Sequence, residues 1–448
     1  MRGNRRAGGL AAAVGLTLTL GATATATTPP TGSDAGAAPS AEAGPGDFGD
    51  LKAVCGPGDA KGSTDQGVSD TEIVVGTASD PGNAILPGLN QEIFDAADAF
   101  VGWCNEAGGI LGRKLKLNKH DAKLFEAGPR MVEACQTDFM LVGAGMVFDD
   151  QANEPRLECG LSEIAGYAVS ETAGQSDNLL IGMATSIKTS AMEPLYKQVA
   201  AADAAVKPYL GMWNLATPSV IPVGKRDLAG AIRQGYTPVL YEEVPTAVDN
   251  WRPYVEALKD KNVQVLQVLG SPENLVAAMR TMNDVGFFPK YILVSTNYYN
   301  TKLTQEGGDL LDKSYVVVFG GFPPFEQADQ FPAIARYIEN LKTYAGGAEP
   351  RGLGVNATSA WLAFAVAAKE CGSDLTRACV MEKAAAITDW TAGGMHPPRP
   401  LSNLNGAGPT CYFTYRATSK GFEIDPMTPA NDGIYSCAAD NFPVLPGS

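Results

Sequence analysis

Histidine is almost absent from this chain of 448 residues: His120 and His396 are the only two. Neither stands in a local pattern with Ser, Cys or another His, so a His-based nucleophile relay has no support in the sequence. No Cys-x-x-Cys occurs among the eight Cys, and with His so scarce a zinc site is not expected. Apolar runs are short as well, since none reaches the roughly 18 to 20 residues that a membrane span needs. Basic residues are few: 34 Lys and Arg stand against 49 Asp and Glu, a net charge of −15. An acidic surface disfavours nucleic acid and anionic lipid as partners. It does not fix the charge of a small ligand, because net charge describes the surface and not a cleft.

The N-terminus reads as an export signal. Arg2, Arg5 and Arg6 precede the apolar stretch Gly9 to Gly21, and Ala24-Thr25-Ala26 offers a small-residue cleavage site, which predicts a signal peptide over residues 1–26 cut near Ala26. The Arg5-Arg6 pair suggests a twin-arginine route, but Ala-Gly-Gly follows it, and ordinary secretion is the expectation. Cleavage removes three Arg and no acid, moving the net charge from −15 to −18. The first Cys is Cys55, so no lipid anchor is expected. Thr27 to Gly49 is rich in Ala, Thr, Pro, Gly and Ser and reads as a leader that cannot bury a core. With an N-terminal extension it fills residues 27–67. About 380 residues remain, enough for two lobes.

Beyond the linker, short apolar strands alternate with amphipathic helices. The first block runs through strands at Ile73–Gly76, Arg113–Asn118, Phe139–Val142, Leu161–Ile164 and Leu179–Gly182. The pattern restarts with strands at Tyr209–Trp213, Pro238–Glu242, Val263–Leu269, Tyr291–Val294 and Tyr315–Phe319. Near-continuous apolar strands separated by helices indicate parallel sheets covered on both faces, and two blocks imply two sheets. Eight Cys in an exported chain imply disulfides. Cys371 and Cys379 are close enough in sequence to staple a loop between two helices. Cys411 and Cys437 flank two strand-like runs and would clasp a hairpin.

One segment is more specific. A helix from Gln91 to Trp103 runs into Asn105-Glu-Ala-Gly-Gly-Ile-Leu-Gly-Arg-Lys-Leu115. Gly108 and Gly109 sit where helices stop in a left-handed conformation that Gly adopts cheaply. Strand, loop, helix, "N-x-x-GGI-x-GR-x-L", strand resembles the opening unit of the type I periplasmic binding proteins, the branched-chain amino-acid-binding branch of ABC importers. The resemblance follows element order over nearly the whole mature chain, with its motif specificity concentrated in residues 70–118. It implies an α/β fold of two lobes, each a doubly wound, mostly parallel sheet with helices on both faces, joined by three crossover hinge strands. Carried over by position, lobe 1 takes residues 68–185 plus 320–405 and lobe 2 takes 186–319 plus 406–448. In such a fold the second and third helices cover one face of the first sheet, so Cys135 pairs with Cys159, which leaves Cys55 for Cys104. The implied activity is capture of a small molecule outside the membrane, without catalysis, cofactor or metal, by a monomer that delivers it to an ABC permease. Alternatives are a secreted hydrolase with a cleft carboxylate pair and a ligand-sensing partner of a membrane receptor.

In open α/β sheets ligands bind beyond the carboxyl ends of strands. The candidates there are Asp80 and Asn83 after the first strand, Gly145, Met146 and Phe148 after the third, and Tyr167 after the fourth. The second lobe offers Trp213, Ser271, Asn297, Tyr298 and Tyr299. Gly143-x-Gly145 lacks the third glycine of a dinucleotide fingerprint, since Phe148 stands in its place. In the resembled amino-acid binders, loops after the third and fourth strands carry hydroxyls for the ligand carboxylate, and an acid in a late lobe-2 loop holds the ammonium. Here these positions read Met146-Val147-Phe148, Tyr167-Ala168-Val169 and Ser295-Thr296-Asn297. That substitution points to a ligand with an apolar or aromatic body, because an unpaired ammonium in a closed cleft costs several kcal/mol. Glu273 and Asp149-Asp150 read as helix caps, Phe322-Pro-Pro-Phe325 as hinge packing and Trp361 as core.

Overall fold

The computed structural model describes residues 44–446. The signal peptide expected over residues 1–26 and the beginning of the linker lie outside the described residues. From residue 44 onward the chain is packed, contrary to the expectation for a leader reaching Gly49. Phe48 is fully buried with its ring edge-on to Trp103 at 5.6 Å, and the Asp50 amide donates to the Gly393 carbonyl. The Phe48 ring, the hydrogen bond from Trp103 Nε1 to the Pro45 carbonyl and the Cys55–Cys104 disulfide anchor a segment whose composition is otherwise that of a linker.

The first sheet is built from β1 (Glu72–Ser79), β2 (Lys114–Asp121), β3 (Met140–Val142), β4 (Glu163–Ala165) and β5 (Leu179–Ile181), interleaved with α1 (Gln91–Ala107), α2 (Ala127–Thr137), α3 (Asp150–Glu158) and α4 (Glu171–Gly174). Its strand order is β2-β1-β3-β4-β5, all parallel. The chain then passes into a second layer through α5 (Glu193–Ala202), β6 (Leu210–Leu215), α6 (Ile221–Arg233), β7 (Pro238–Val244), α7 (Arg252–Asp260), β8 (Val265–Leu269), α8 (Pro272–Val285), β9 (Tyr291–Val294), α9 (Thr301–Gly307) and β10 (Tyr315–Gly320). It returns to the first layer with α10 (Pro332–Tyr344), α11 (Gly352–Cys371) and α12 (Arg377–Ala385), of which α10 and α11 pack on α1. A last passage supplies β11 (Cys411–Thr418), β12 (Gly421–Ile424) and β13 (Ser436–Cys437) to the second sheet. That sheet runs β12-β11-β10-β9-β8-β6-β7, with β13 on β11. It is parallel from β7 to β10 and antiparallel beyond.

The signature segment does its work at the base of the first sheet. The Asn105 side chain accepts from the Leu115 amide (2.7 Å) and donates to the Leu115 carbonyl (2.8 Å), tying the end of α1 to β2. Gly109 has φ 84°, and a Cβ there would lie 2.1 Å from the Arg113 carbonyl oxygen. Arg113 is buried and donates to the Gly372 and Gly62 carbonyls at 2.9 and 3.1 Å, so it also pins the extension and the α11 terminus. The disulfides join Cys55 to Cys104, Cys135 to Cys159, Cys371 to Cys379 and Cys411 to Cys437.

The three passages between layers touch one another. The Ile181 amide donates to Ser402 O (2.9 Å) and the Ile187 amide to Leu404 O (3.0 Å), so the first and third run side by side. Arg399, in the third and only 6 % exposed, reaches the Ala184 carbonyl of the first at 3.5 Å. Its Nη2 lies 3.4 Å from where a Cβ on Gly321 of the second would stand. Burial lowers the Arg399 pKa to about 10.

Candidate functional site

Strand carboxyl ends of both sheets face a shared cavity of about 340 Å³, within the range of roughly 300–1,000 Å³ that holds small organic ligands. The first lobe contributes Leu86, Leu89, Leu124, Val147, Tyr167 and Val169. The second contributes Leu215, Val220, Val223, Leu269 and Phe319. The body of the cavity is therefore aliphatic, with two aromatic rings. Its walls are bridged: Ser219 Oγ donates to the Val147 carbonyl at 3.0 Å, and Arg226 of α6 pairs with Glu171 of α4 at 2.5 Å.

The cavity has one charged end, formed where four helices begin. Glu92 lies in the first turn of α1 and Arg351 is the residue before α11. They face at 3.7 Å, too long for a hydrogen bond. Lys302 in the first turn of α9 and Glu273 in that of α8 pair at 3.3 Å. The two pairs are neighbours, because Thr301 Oγ1 donates to Glu349 (2.6 Å) and Glu349 also stands 3.8 Å from Arg351. Gly352 makes this approach feasible, since a Cβ there would meet the Thr296 carbonyl at 2.7 Å. Burial raises the Glu92 pKa, with Arg351 pulling it back. Arg351 Nε is buried without a partner.

Of the residues proposed from sequence, the structure brings Tyr167, Ser271 and Asn297 to this cavity. The Tyr167 hydroxyl accepts from Asn90 Nδ2 at 2.7 Å. Ser271 caps α8 by accepting from the Asn274 amide (3.3 Å), and Asn297 donates to the Gly270 carbonyl (2.9 Å). The others stand behind the wall. Asp80 accepts from the Leu124 and Val147 amides, both at 2.9 Å, knotting three loops together. Asn83 accepts from the Ile85 amide within its own turn. Gly145 has no side chain to offer; a Cβ there would lie 2.2 Å from the Tyr167 ring, so it seats that ring. Met146 is core, and Phe148 packs on Phe125 at 5.5 Å. Trp213 is turned inward onto Trp251 and Tyr254.

Tyr298 and Tyr299 are both buried, although one of them was expected to face the cleft. The alternation of a strand would have placed them on opposite sides, but Thr296–Tyr298 is a 3-10 turn, where that rule does not hold. Tyr299 packs among Phe322, Phe325, Tyr415 and Phe422, with centroids 4.3 to 5.5 Å away.

Two further expectations change. Asp149 does not cap α3; its carboxylate accepts from the Val169 and Ser170 amides at 2.7 and 3.0 Å, and burial raises its pKa to about 7. Carboxylates are not missing from the cleft, since Glu92 and Glu273 are there. The loop after β9 carries no acid, and both carboxylates come instead from helix starts. A usable signal existed: Arg351 and Lys302 are cations at helix N-termini, where the dipole disfavours them.

Residues 223–421 match the periplasmic binding protein family. Among solved structures, a leucine-binding protein from Thermotoga maritima is similar at 12% identity, with 79% of this chain and 97% of that one covered and a TM-score of 0.64. A fatty acid ABC transporter substrate-binding protein from Thermomonospora curvata gives 16% identity, 83% and 97% coverage and a TM-score of 0.67. The isoleucine-bound branched-chain amino-acid transporter binding protein of Streptococcus pneumoniae gives 14%, 79%, 98% and 0.64. No curated protein matches the chain. The likeness to these structures is one of fold: two lobes of type I periplasmic-binding-protein architecture with a cavity between them.

Proposed function

We propose that this protein is the extracytoplasmic solute-binding component of an ABC importer, capturing a small, largely aliphatic organic ligand between its lobes and presenting it to a membrane permease. The observation that carries the reading is the cavity between strand carboxyl ends, aliphatic in its body and charged at one end. Four disulfides agree with an oxidising compartment. The bridges Ser219–Val147 and Arg226–Glu171 fit a cleft that closes over its ligand, where loss of water strengthens the polar contacts. Similar folds serve both branched-chain amino acids and a fatty acid in the named neighbours, so the fold leaves the ligand to the cleft chemistry.

The test is a thermal-shift screen of the mature chain with amino acids, aliphatic and aromatic acids, steroid acids and sugars, followed by calorimetric titration of each hit. A saturable, one-to-one interaction with unchanged solute is expected. Conversion of the solute, or no interaction with any solute class, would defeat the reading.

A further inference from the structure

At the charged end of the cavity one cation lacks close hydrogen-bond acceptors. The Arg351 guanidinium carries five N–H groups, yet its carboxylate neighbours Glu92 and Glu349 stand at 3.7 and 3.8 Å, and its buried Nε has no partner. Lys302 has one long bond, to Glu273. α11 begins here with no side-chain cap on its first amides, and such a terminus favours negative charge.

Three carboxylates, Glu92, Glu273 and Glu349, stand beside these two cations, but each can yield; Glu349 is 51 % exposed at its side chain. Glu273 is 35 % exposed at its side chain and can turn to water. Glu92 is buried, and burial already favours its protonated form, so an arriving anion can be met by proton uptake at this carboxyl. A guanidinium has no such escape. An ammonium head offers no acceptor to the unpaired Arg351 Nε, whereas a carboxylate does.

We propose that the cleft takes a straight-chain aliphatic carboxylate, its head group held between Arg351 of lobe 1 and Lys302 of lobe 2, its hydrocarbon chain lying along Leu86, Val169, Val220 and Leu269. This rests on the solute-binding reading above and narrows it to one ligand class. Clamping the head from both lobes couples recognition to closure, because neither lobe alone supplies the whole cationic pair.

The experiment is calorimetric titration of the delipidated mature chain with n-octanoate, n-octanol, n-octylamine and L-leucine, and of n-hexanoate for chain length. Octanoate is expected to bind at least tenfold more tightly than octanol, with octylamine weaker still. Each added methylene should tighten binding roughly threefold to fourfold while the cavity has room. Lys302→Met should weaken octanoate at least tenfold and leave octanol within twofold. Arg351→Gln should do the same; if that variant fails to fold, Lys302→Met decides alone. Octanol binding as tightly as octanoate, or equal losses for both in Lys302→Met, would overturn the head-group assignment. Tight binding of leucine with none of the alkyl series would overturn the ligand class while leaving the solute-binding reading intact. Failure of these probes and of every solute in the wider screen would bring down both.

Discussion

Two sets of side chains are chemically opposite, those lining the second lobe's side of the cleft and those of the aromatic cluster around Tyr299. In the first set are Leu269, Val220 and Val223, aliphatic and only partly buried, carried on strand ends and helix starts. In the second set, Tyr299, Phe322, Phe325, Tyr415 and Phe422 lie ring against ring, with the Tyr299 hydroxyl bonded to Glu326 and accepting from the Phe325 amide. The first set can change without disturbing the core, because each side chain leaves much of its surface free for a ligand. The second set joins β9, β11, β12 and the second passage between lobes, so its geometry is set by the fold. Specificity and stability thus occupy separable sets of side chains.

The sharpest way to break this separation is Tyr299→Ala. Loss of a buried aromatic side chain is expected to cost about 3–5 kcal/mol of stability, read as a drop in the urea midpoint. A variant that kept its stability and lost only binding would put Tyr299 in the cleft wall after all.

Next in size is the pH dependence that comes from Asp149, which holds the Val169 loop of the wall from behind. Its folded pKa, about 7, lies above the ordinary carboxylate value, so the native state binds more protons than the unfolded one between about pH 4 and pH 7. Stability from this group is complete below that window and is lost as pH rises through it, by on the order of a few kcal/mol. Urea midpoints from pH 5 to 7.5 should fall, and Asp149→Asn should flatten the slope; an unchanged slope would remove Asp149 as its source.

Smaller effects are expected in the cleft wall. Leu86→Ala, in a half-exposed loop, should weaken n-octanoate roughly fivefold and leave stability within about 0.5 kcal/mol. A loss of stability matching the loss of affinity would mean the wall is core as well. Smallest is Arg226→Gln, which removes the bridge to the 44 % exposed Glu171. A largely solvated pair is worth about 0.2–1 kcal/mol, so affinity should fall by no more than about fivefold, mainly through faster dissociation.

The layout of the fold was legible because its signals are local. The strand–helix alternation gives both sheets, and Asn105, Gly109 and Arg113 each have a backbone task in the first unit. The cleft was less legible for two reasons. Sequence periodicity marks where a strand ends but not how the next three residues turn, and the turn at Thr296–Tyr298 sends both tyrosines inward. The charges arrive from helix starts far apart in sequence, Glu92 with Arg351 and Glu273 with Lys302, and only the folded chain makes them neighbours. Phe148 and Trp213 were legible as strand-end aromatics, but their direction depended on Phe125, Trp251 and Tyr254, which sequence alone does not place beside them.

Arg399 gives the joint between the lobes a mechanical character. Three separate connections could each flex alone, letting the lobes slide and twist as well as open. A guanidinium buried where all three meet, with two hydrogen bonds between the first and third passages, would make them bend as one piece. The two halves then move like covers on a single spine, and a substitution at Arg399 would loosen the axis of opening while leaving the chemistry of the cleft untouched.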